Sequence, residues 1–182
     1  MRIFKKQRAE QRGFTLLELL TVVAIVGILA TLGLVAYRRF ITSSKGSEAI
    51  YMVGAIRAAQ ESYRAETLTY LNVSVGFTDF FPTGSVGNKK TGWDASSHKD
   101  FTNWRQLGAR PDGPVYYGYL TGAGVAGAAP PALHVANKPT WPTTTEPWYI
   151  IEAKGDVDGN GVFSWVCGSS FTGEIYLENE GQ

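Results

Sequence analysis

One carboxylate lies inside a long apolar run near the start of the chain. The run covers residues 14–37, and Glu18 is its only charged residue. A helix that spans a bilayer needs about 20 apolar residues, so the run is long enough to cross one. Ionisable side chains are costly inside a membrane segment and usually have both a partner and a function there. The run contains no basic residue, so we expect the partner of Glu18 to come from elsewhere.

A second group of oxygen-bearing side chains lies near the carboxyl terminus. Asp156, Asp158 and Asn160 alternate in the sequence Asp-Val-Asp-Gly-Asn-Gly, which has the spacing of the first half of a calcium-binding loop. The position at which such a loop supplies a bidentate glutamate is Cys167, so the ligand set is incomplete. Asp-Gly and Asn-Gly are also favoured in hairpin turns. The motif therefore predicts either a calcium site at these three residues or a turn between two strands.

Residue types that usually carry out catalysis are sparse. His98 and His134 are the only histidines, Cys167 is the only cysteine, and none of them lies in a metal-binding or catalytic motif. The chain also has no glycine-rich phosphate-binding loop. We therefore expect no enzyme activity and no cofactor apart from the calcium considered above. The two histidines are predicted to be polar surface residues.

The apolar run is predicted to continue as a helix beyond the membrane. No proline occurs between residues 38 and 70, and apolar or large side chains recur there at three- and four-residue spacing. These are Ala49, Val53, Ile56, Gln60 and Tyr63. The pattern predicts one helix from residue 14 to about residue 66, whose second half packs against a globular head.

The rest of the chain predicts an antiparallel sheet of about four strands, which makes the fold class α+β. The strands are predicted at residues 115–120, 148–153, 162–166 and 174–178, from their β-branched and aromatic residues. Residues 121–146 are rich in Gly, Ala, Pro and Thr and are predicted to form a flexible surface loop. Residues 67–104 are predicted to be a loop-rich connection, with one short helix near residues 100–106.

The sequence Gly13-Phe14-Thr15-Leu16-Leu17-Glu18 and the apolar run after it resemble the amino-terminal signature of type IV pilins and type II secretion pseudopilins. In that family a prepilin peptidase cuts after the glycine and methylates the new amino terminus. The resemblance implies cleavage between Gly13 and Phe14 and N-methylation of Phe14. It also implies that Glu18 pairs with the Phe14 ammonium of a neighbouring subunit, which would offset the cost of a buried carboxylate and fix the register.

This resemblance divides the chain into three parts. Residues 1–13 form a cleaved basic leader, residues 14–37 a transmembrane and assembly helix, and residues 38–182 a globular head. The leader carries five basic residues and one acidic residue, so its removal changes the formal net charge from +1 to −3. An ordinary secretory signal has a shorter apolar core. A plain membrane anchor explains the length of the run but not Glu18 or the Gly13–Phe14 junction.

The function implied by the resemblance is that of a structural subunit of a type IV pilus, used in adhesion and motility. The precursor would lie in the inner membrane and the mature chain in an extracellular filament. The implied partners are further copies of the chain in a helical homo-oligomer, the prepilin peptidase, the assembly platform and motor ATPases. Many pilins close their carboxyl-terminal region with a disulfide, which a single cysteine excludes, so this region must be held in another way.

Two alternatives within the family remain open. One is a type II secretion pseudopilin, and the other is a minor pilin that binds DNA or a surface. The candidate basic cluster for such binding consists of Lys89, Lys90, Lys99, Arg105 and Arg110. Charge runs of this kind are usually a solvated face, so nucleic acid is not an expected partner.

Overall fold

The computed structural model describes residues 13–135, 140–142 and 144–180 of the chain. The predicted basic leader therefore lies outside the described residues, apart from Gly13. The chain divides between Arg38 and Arg39 into two compact units. Helix α1, Leu16–Thr67, contributes residues to both units.

In the first unit, α1 is apolar and fully exposed. Every described residue of this unit, from position 13 to position 38, is exposed, and the large apolar side chains of the run are 53–86% accessible. Within the described residues, α1 is the helix long and apolar enough to cross a membrane, by length and composition. The absence of proline from residues 14–67 lets the predicted helix continue without interruption.

In the second unit, α1 buries one face. Its buried residues are Gly46, Ala49, Met52, Val53, Ile56 and Gln60. The predicted apolar stripe is therefore confirmed, with Met52 added and Tyr63 only half-buried. Gln60 is fully buried and satisfied, since its amide donates to the Leu71 carbonyl and its oxygen accepts from the Leu71 amide. This pair fixes the chain where it leaves α1.

The sheet is an antiparallel meander of four strands in the order β1-β2-β3-β4. The strands are β1 (Gly118–Gly124), β2 (Trp148–Gly155), β3 (Ser164–Ser169) and β4 (Tyr176–Glu178). A short helix, α2 (Phe101–Leu107), precedes them, close to its predicted place. The predicted α+β class, with a long helix packed on a four-stranded antiparallel sheet, is confirmed.

The two faces of the sheet contribute to different clusters, because side chains alternate along a strand. Tyr119, Ile151 and Val166 belong to the cluster that includes the buried face of α1. Gly168 also lies against α1, since a Cβ atom there would stand 2.8 Å from Val53 Cγ1. The helix can therefore approach β3 closely only because residue 168 has no side chain.

The opposite face of the sheet carries a second cluster. Its strand residues are Leu120, Ile150 and Cys167, and the connection between β1 and β2 covers them with Leu133 and Val135. Leu133 is 3% exposed and Val135 is fully buried. The prediction of a surface loop is therefore wrong for this part of the connection, although its Gly, Ala and Pro content favours one.

The start of β1 differs from the prediction by three residues. The amide of Tyr116 donates to Glu48 Oε1 at 2.6 Å, and Val115 forms an isolated bridge with Thr91. Both interactions hold residues 115–116 away from the sheet. The strand then continues to Gly124, into the segment predicted to be a loop.

The starts of β3 and β4 also differ by two residues each. The amide of Val162 donates to Asn160 Oδ1 at 2.6 Å, so it is used by the preceding turn and β3 begins at Ser164. The carbonyl of Glu174 accepts from Arg57 Nη2 at 3.1 Å, so β4 begins only at Tyr176.

Candidate functional site

The amino terminus of α1 is closed by reciprocal hydrogen bonds between Thr15 and Glu18. The Thr15 amide and the Thr15 hydroxyl each donate to Glu18 Oε2 at 2.8 Å, and the Glu18 amide donates to Thr15 Oγ1 at 3.2 Å. This is a capping box, in which a Thr and a Glu three residues later satisfy free amides of the first turn. Glu18 thus has a local hydrogen-bond partner, Thr15, in addition to the charged partner that we expect from another copy of the chain. The pattern Thr-x-x-Glu indicates this capping box in the sequence.

One oxygen of the Glu18 carboxylate takes no part in the capping box. The amide and the hydroxyl of Thr15 both donate to Oε2, and within the described residues Oε1 accepts no hydrogen bond. Thr15 lies on the carboxyl side of the Gly13–Phe14 bond, so cutting that bond would leave the capping box in place. The predicted charged partner of Glu18, the Phe14 ammonium of a neighbouring copy, stays a prediction.

The Gly13–Phe14 junction lies before α1 in exposed backbone. Phe14 is 82% exposed, and the space around Gly13 is open, since a Cβ atom added there would meet nothing within 4 Å beyond its chain neighbours. An exposed terminal segment of this kind is accessible to a peptidase. The assignment of these two residues to cleavage, and of Phe14 to methylation, stays a prediction.

The Asp156–Asn160 motif forms the turn between β2 and β3. Asp156 accepts from the amides of Gly159 (2.9 Å, Oδ1) and Gly161 (3.2 Å, Oδ2), and Asp158 Oδ1 accepts from the Asn160 amide at 3.2 Å. Gly159 and Gly161 have φ values of 78° and 84°, which other residues rarely adopt. The turn interpretation explains each of these contacts.

The carboxylate oxygens of Asp156 and Asp158 that would bind calcium already accept hydrogen bonds from amides of the turn itself. In the described part of the chain, no group of three or more His, Cys, Asp and Glu side chains is placed to hold a metal ion. Asp156, Asp158 and Asn160 would supply oxygen ligands from only three side chains, whereas calcium takes about six to eight oxygens. The calcium site stays a prediction.

Glu152, in the middle of β2, is a fully buried carboxylate that anchors the β1–β2 connection. Its Oε1 accepts from the amides of His134 (2.7 Å) and Val135 (3.2 Å), and its Oε2 lies 2.6 Å from His134 Nδ1. Burial raises the pKa of Glu152, and the contacts with His134 act in the opposite direction. His134 is exposed, as predicted, and one edge of its ring is bound to the sheet.

Cys167 is not a reactive thiol. It is 2% exposed, its Sγ lies 4.0 Å from Glu152 Oε1, and burial raises its pKa well above the usual value. A thiol that stays protonated is a poor nucleophile. Cys167 is therefore part of the core beneath the β1–β2 connection.

The carboxyl-terminal region is held to α1 by Arg57. Its guanidinium donates to four backbone carbonyls, one at the end of β3 and three in the connection from β3 to β4: Ser169 (3.0 Å), Thr172 (2.5 Å), Gly173 (2.8 Å) and Glu174 (3.1 Å). These four bonds join the helix to a segment more than 110 residues away in the chain. No sequence pattern signals this role, because Arg57 lies beside the apolar stripe, where a solvated residue is expected.

The predicted basic cluster is largely neutralised in the structure. Lys90 pairs with Glu48 at 3.1 Å, Lys99 pairs with Asp79, and Arg110 pairs with Asp94 at 3.1 Å. Lys89 and Arg105 are exposed and form no ion pair with the described residues. The five residues therefore do not present a continuous, unpaired positive surface.

The fold and this site define a class: α+β proteins whose first helix is long and apolar enough to cross a membrane and carries one capped carboxylate near its start. A family profile described as the prokaryotic N-terminal methylation motif matches residues 8–34, which include Gly13, Phe14 and Glu18. The amino-terminal segment of the chain is thus similar to that of proteins that carry the N-terminal methylation motif.

Curated relatives named as pilins and fimbrial proteins are similar to parts of the chain. The chain is 43% identical over 56 residues to the fimbrial protein EcpC of Eikenella corrodens, covering 31% of this chain and 37% of the relative. It is 32% identical over 87 residues to the type IV major fimbrial protein FimA of Dichelobacter nodosus, covering 48% and 54%. It is 45% identical over 53 residues to the type IV major pilin protein PilE1 of Neisseria gonorrhoeae, covering 29% and 32%.

The chain spans about a third to about a half of the length of these relatives. No solved structure matches the chain significantly. The sequence similarity thus covers only part of each protein.

Proposed function

We propose that the protein is a structural subunit of a type IV pilus. In this proposal the chain is cut between Gly13 and Phe14, methylated at Phe14 and polymerised into a helical filament through residues 14–37. The observation that carries the proposal is the exposed apolar helix with a capped carboxylate near its start, in a segment that matches the N-terminal methylation motif.

The exposed helix needs an apolar environment on all of its sides. Large apolar side chains around its whole circumference are 53–86% accessible, which is unfavourable in water. Lipid supplies an apolar environment to a monomer, and a core of neighbouring α1 helices supplies one to a polymer. A contact that repeats from one copy to the next without closing produces a filament. Moving the helix from lipid into the filament core then changes the burial of its apolar side chains only a little.

Glu18 sets the direction and register of that contact. Its Oε2 remains in the capping box, while Oε1 accepts from the N-methyl ammonium of Phe14 in the adjacent copy. A carboxylate in an apolar core is stabilised by an opposite charge with good geometry. The cut at Gly13 is required first, because it creates the ammonium group.

The proposed partners and locations follow from the same mechanism. The precursor lies in the inner membrane, where the prepilin peptidase processes it, and an assembly platform with motor ATPases moves the mature chain into an extracellular filament. The relatives named as major pilins and major fimbrial proteins support this role. The subunit has no catalytic part in it, and the buried, protonated thiol of Cys167 is consistent with a structural protein.

Deletion and complementation test the proposal. We expect cells that lack the chain to lose surface filaments by electron microscopy, and a plasmid copy to restore them. The matched variant is Cys167→Ser, which alters a buried head residue outside residues 14–37 and should still support filaments. Filaments of normal number in the deletion strain would contradict the role of a major subunit and would favour a minor pilin or a secretion pseudopilin.

A further inference from the structure

Asn160 is the only asparagine in the sequence that precedes a glycine, and it is exposed in the turn between β2 and β3. In such a pair the backbone nitrogen of the glycine can attack the side-chain amide carbon of the asparagine, because a glycine has no side chain to obstruct the approach. The space around Gly161 is open, since a Cβ atom added there would meet nothing within 4 Å beyond its chain neighbours. The turn therefore leaves room for a cyclic imide between the two residues.

The attacking nitrogen already contacts a carboxylate. The Gly161 amide donates to Asp156 Oδ2 at 3.2 Å, and Asp156 is only 8% exposed. The other oxygen, Oδ1, accepts from the Gly159 amide at 2.9 Å, which fixes the carboxylate in place. A base within hydrogen-bond reach of a proton can accept it during the reaction. Asp156 is thus placed to take the proton from the Gly161 nitrogen.

The side-chain amide of Asn160 is held by two hydrogen bonds. The Val162 amide donates to Asn160 Oδ1 at 2.6 Å, and Asn160 Nδ2 donates to Asp158 Oδ2 at 2.8 Å. A donor at the carbonyl oxygen stabilises the negative charge that develops there when a nucleophile adds to the carbon. The turn thus provides a base for the nucleophile and a donor for the oxyanion.

We propose that Asn160 is a self-modifying residue, which this turn converts to aspartate and isoaspartate. The Gly161 nitrogen forms a bond to Cγ of Asn160 while its proton passes to Asp156. The proton then moves to Nδ2, the Cγ–Nδ2 bond breaks, and ammonia leaves a cyclic imide behind. Water opens the imide: addition at Cγ gives aspartate, and addition at the backbone carbonyl carbon gives isoaspartate. Water is the only co-reactant.

The products change the contacts of the turn. Aspartate at residue 160 replaces the Nδ2 donor with a carboxylate oxygen beside the carboxylate of Asp158, and two like charges repel each other. Isoaspartate also lengthens the backbone by one carbon shortly before β3 begins at Ser164. We therefore expect the reaction to loosen the turn, and Asn160→Asp to lower the melting temperature of the full-length chain.

The test is peptide mapping by mass spectrometry of the full-length chain, kept folded in detergent micelles at neutral pH and sampled over time. A synthetic peptide of residues 154–164 supplies the same Asn-Gly pair without the folded turn. Asn88 is exposed and precedes Lys89, so it is the internal control in the same digest. Asp156→Asn removes the base, and Asp94→Asn is its matched control because it removes an exposed carboxylate outside the turn.

We expect aspartate and isoaspartate to appear at residue 160 about tenfold faster in the folded chain than in the peptide, with Asn88 unchanged. Asp156→Asn should slow the reaction by about tenfold, to the rate of the peptide, because the base is lost. Asp94→Asn should keep the rate of the unmodified chain. The comparison of chain and peptide uses no variant, so it does not depend on the folding of Asp156→Asn.

Three results would overturn the proposal. An Asn160 that stays asparagine in the folded chain would remove the site. A peptide that reacts faster than the folded chain would show that the turn protects Asn160, and an unchanged rate in Asp156→Asn would remove the role of the base. None of these results bears on filament formation, which is proposed to depend on residues 14–37.

Discussion

Glu18 Oε2 accepts hydrogen bonds from both the amide and the hydroxyl of Thr15, each at 2.8 Å, before any second copy of the chain is present. The carboxylate is therefore oriented in the isolated chain, and pairing with a neighbouring ammonium does not have to order it. Glu18 would then have two separable roles: it caps α1 through hydrogen bonds, and it pairs with a second copy through charge.

Substitutions at these two positions separate the roles. Glutamine also serves in a capping box, so Glu18→Gln should keep the helix start and lose only the charge. We expect normal cleavage and about tenfold fewer filaments in the sheared surface fraction. Glu18→Ala loses both the cap and the charge, so it should form no more filaments than Glu18→Gln.

Thr15→Val is the matched control for that experiment, because it removes the hydroxyl of the cap but keeps the carboxylate. We expect it to be cleaved and to form more filaments than Glu18→Gln. Filament numbers that fall with Thr15→Val but stay normal with Glu18→Gln would show that the cap, and not the charge, is needed.

Arg57 should stabilise the head by holding the segment between β3 and β4. Its guanidinium binds four carbonyls, and hydrogen bonds to charged groups contribute about 1.5–3 kcal/mol each at most, so we expect Arg57→Ala to cost about 2–3 kcal/mol in total for this half-buried group. Thermal unfolding of the full-length chain in detergent measures the loss.

The conservative variant Arg57→Lys tests the geometry of this contact. A lysine keeps the charge but has three donors at one point, so it cannot reach all four carbonyls, and it should recover less than half of the loss. Hydrogen exchange at residues 170–175 should rise in both variants. Equal stability of Arg57→Ala and the unmodified chain would show that other contacts hold this segment.

Glu152 should make the stability of the head depend on pH. Burial raises its pKa above the ordinary value of 4.5, so the folded state favours the protonated form. A raised pKa means that the contribution of this group is fully present below pH 4.5 and is lost as the pH rises through the folded-state value. We expect the melting temperature of Glu152→Gln, relative to that of the unmodified chain, to increase as the pH rises from about 4.5 to 7.

Glutamine is a suitable replacement because its oxygen can still accept from the amides of His134 and Val135. Titrating groups that do not contact Glu152 cancel in the difference between the two proteins. A difference that decreases with rising pH would mean that the pairing with His134 outweighs the burial of the carboxylate.

Calcium should raise the melting temperature of the full-length chain if Asp156 and Asp158 bind it, by the linkage between binding and folding. The double variant Asp156→Asn, Asp158→Asn keeps an acceptor oxygen at each position and removes both charges. If calcium binds here, the stabilisation should disappear in this variant. An unmodified chain whose melting temperature is indifferent to calcium would leave the motif as a turn only.

The sequence predicts which helices and strands the fold contains better than it predicts the residues at which they begin and end. The long helix and its buried face follow from three- and four-residue spacing, as at Ala49, Val53 and Ile56. The starts of β1 and β4 depend instead on Glu48 and Arg57, which bind backbone groups 68 and 117 residues away in the chain. Such contacts leave no local pattern in a sequence.

Long-range contacts also explain what the sequence could not predict around the sheet. Glu152 lies in a strand whose pattern predicts only alternation, so nothing local indicates that its side chain binds the β1–β2 connection through His134. The apolar pair Leu133 and Val135 lies in a segment dominated by Gly, Ala and Pro. By contrast, the capping box of Thr15 and Glu18 is local, and its pattern is visible in the sequence.

The most direct test of the central proposal is the intact mass and the amino-terminal residue of the chain in sheared surface filaments. We predict a chain that begins with N-methylated Phe14, and unprocessed chain in the membrane fraction of a Gly13→Ala strain. Gly13 has open space around it, so that change alters no contact among the described residues. Filaments built from a chain that still begins at Met1, or filaments that lack this chain, would contradict the proposed function.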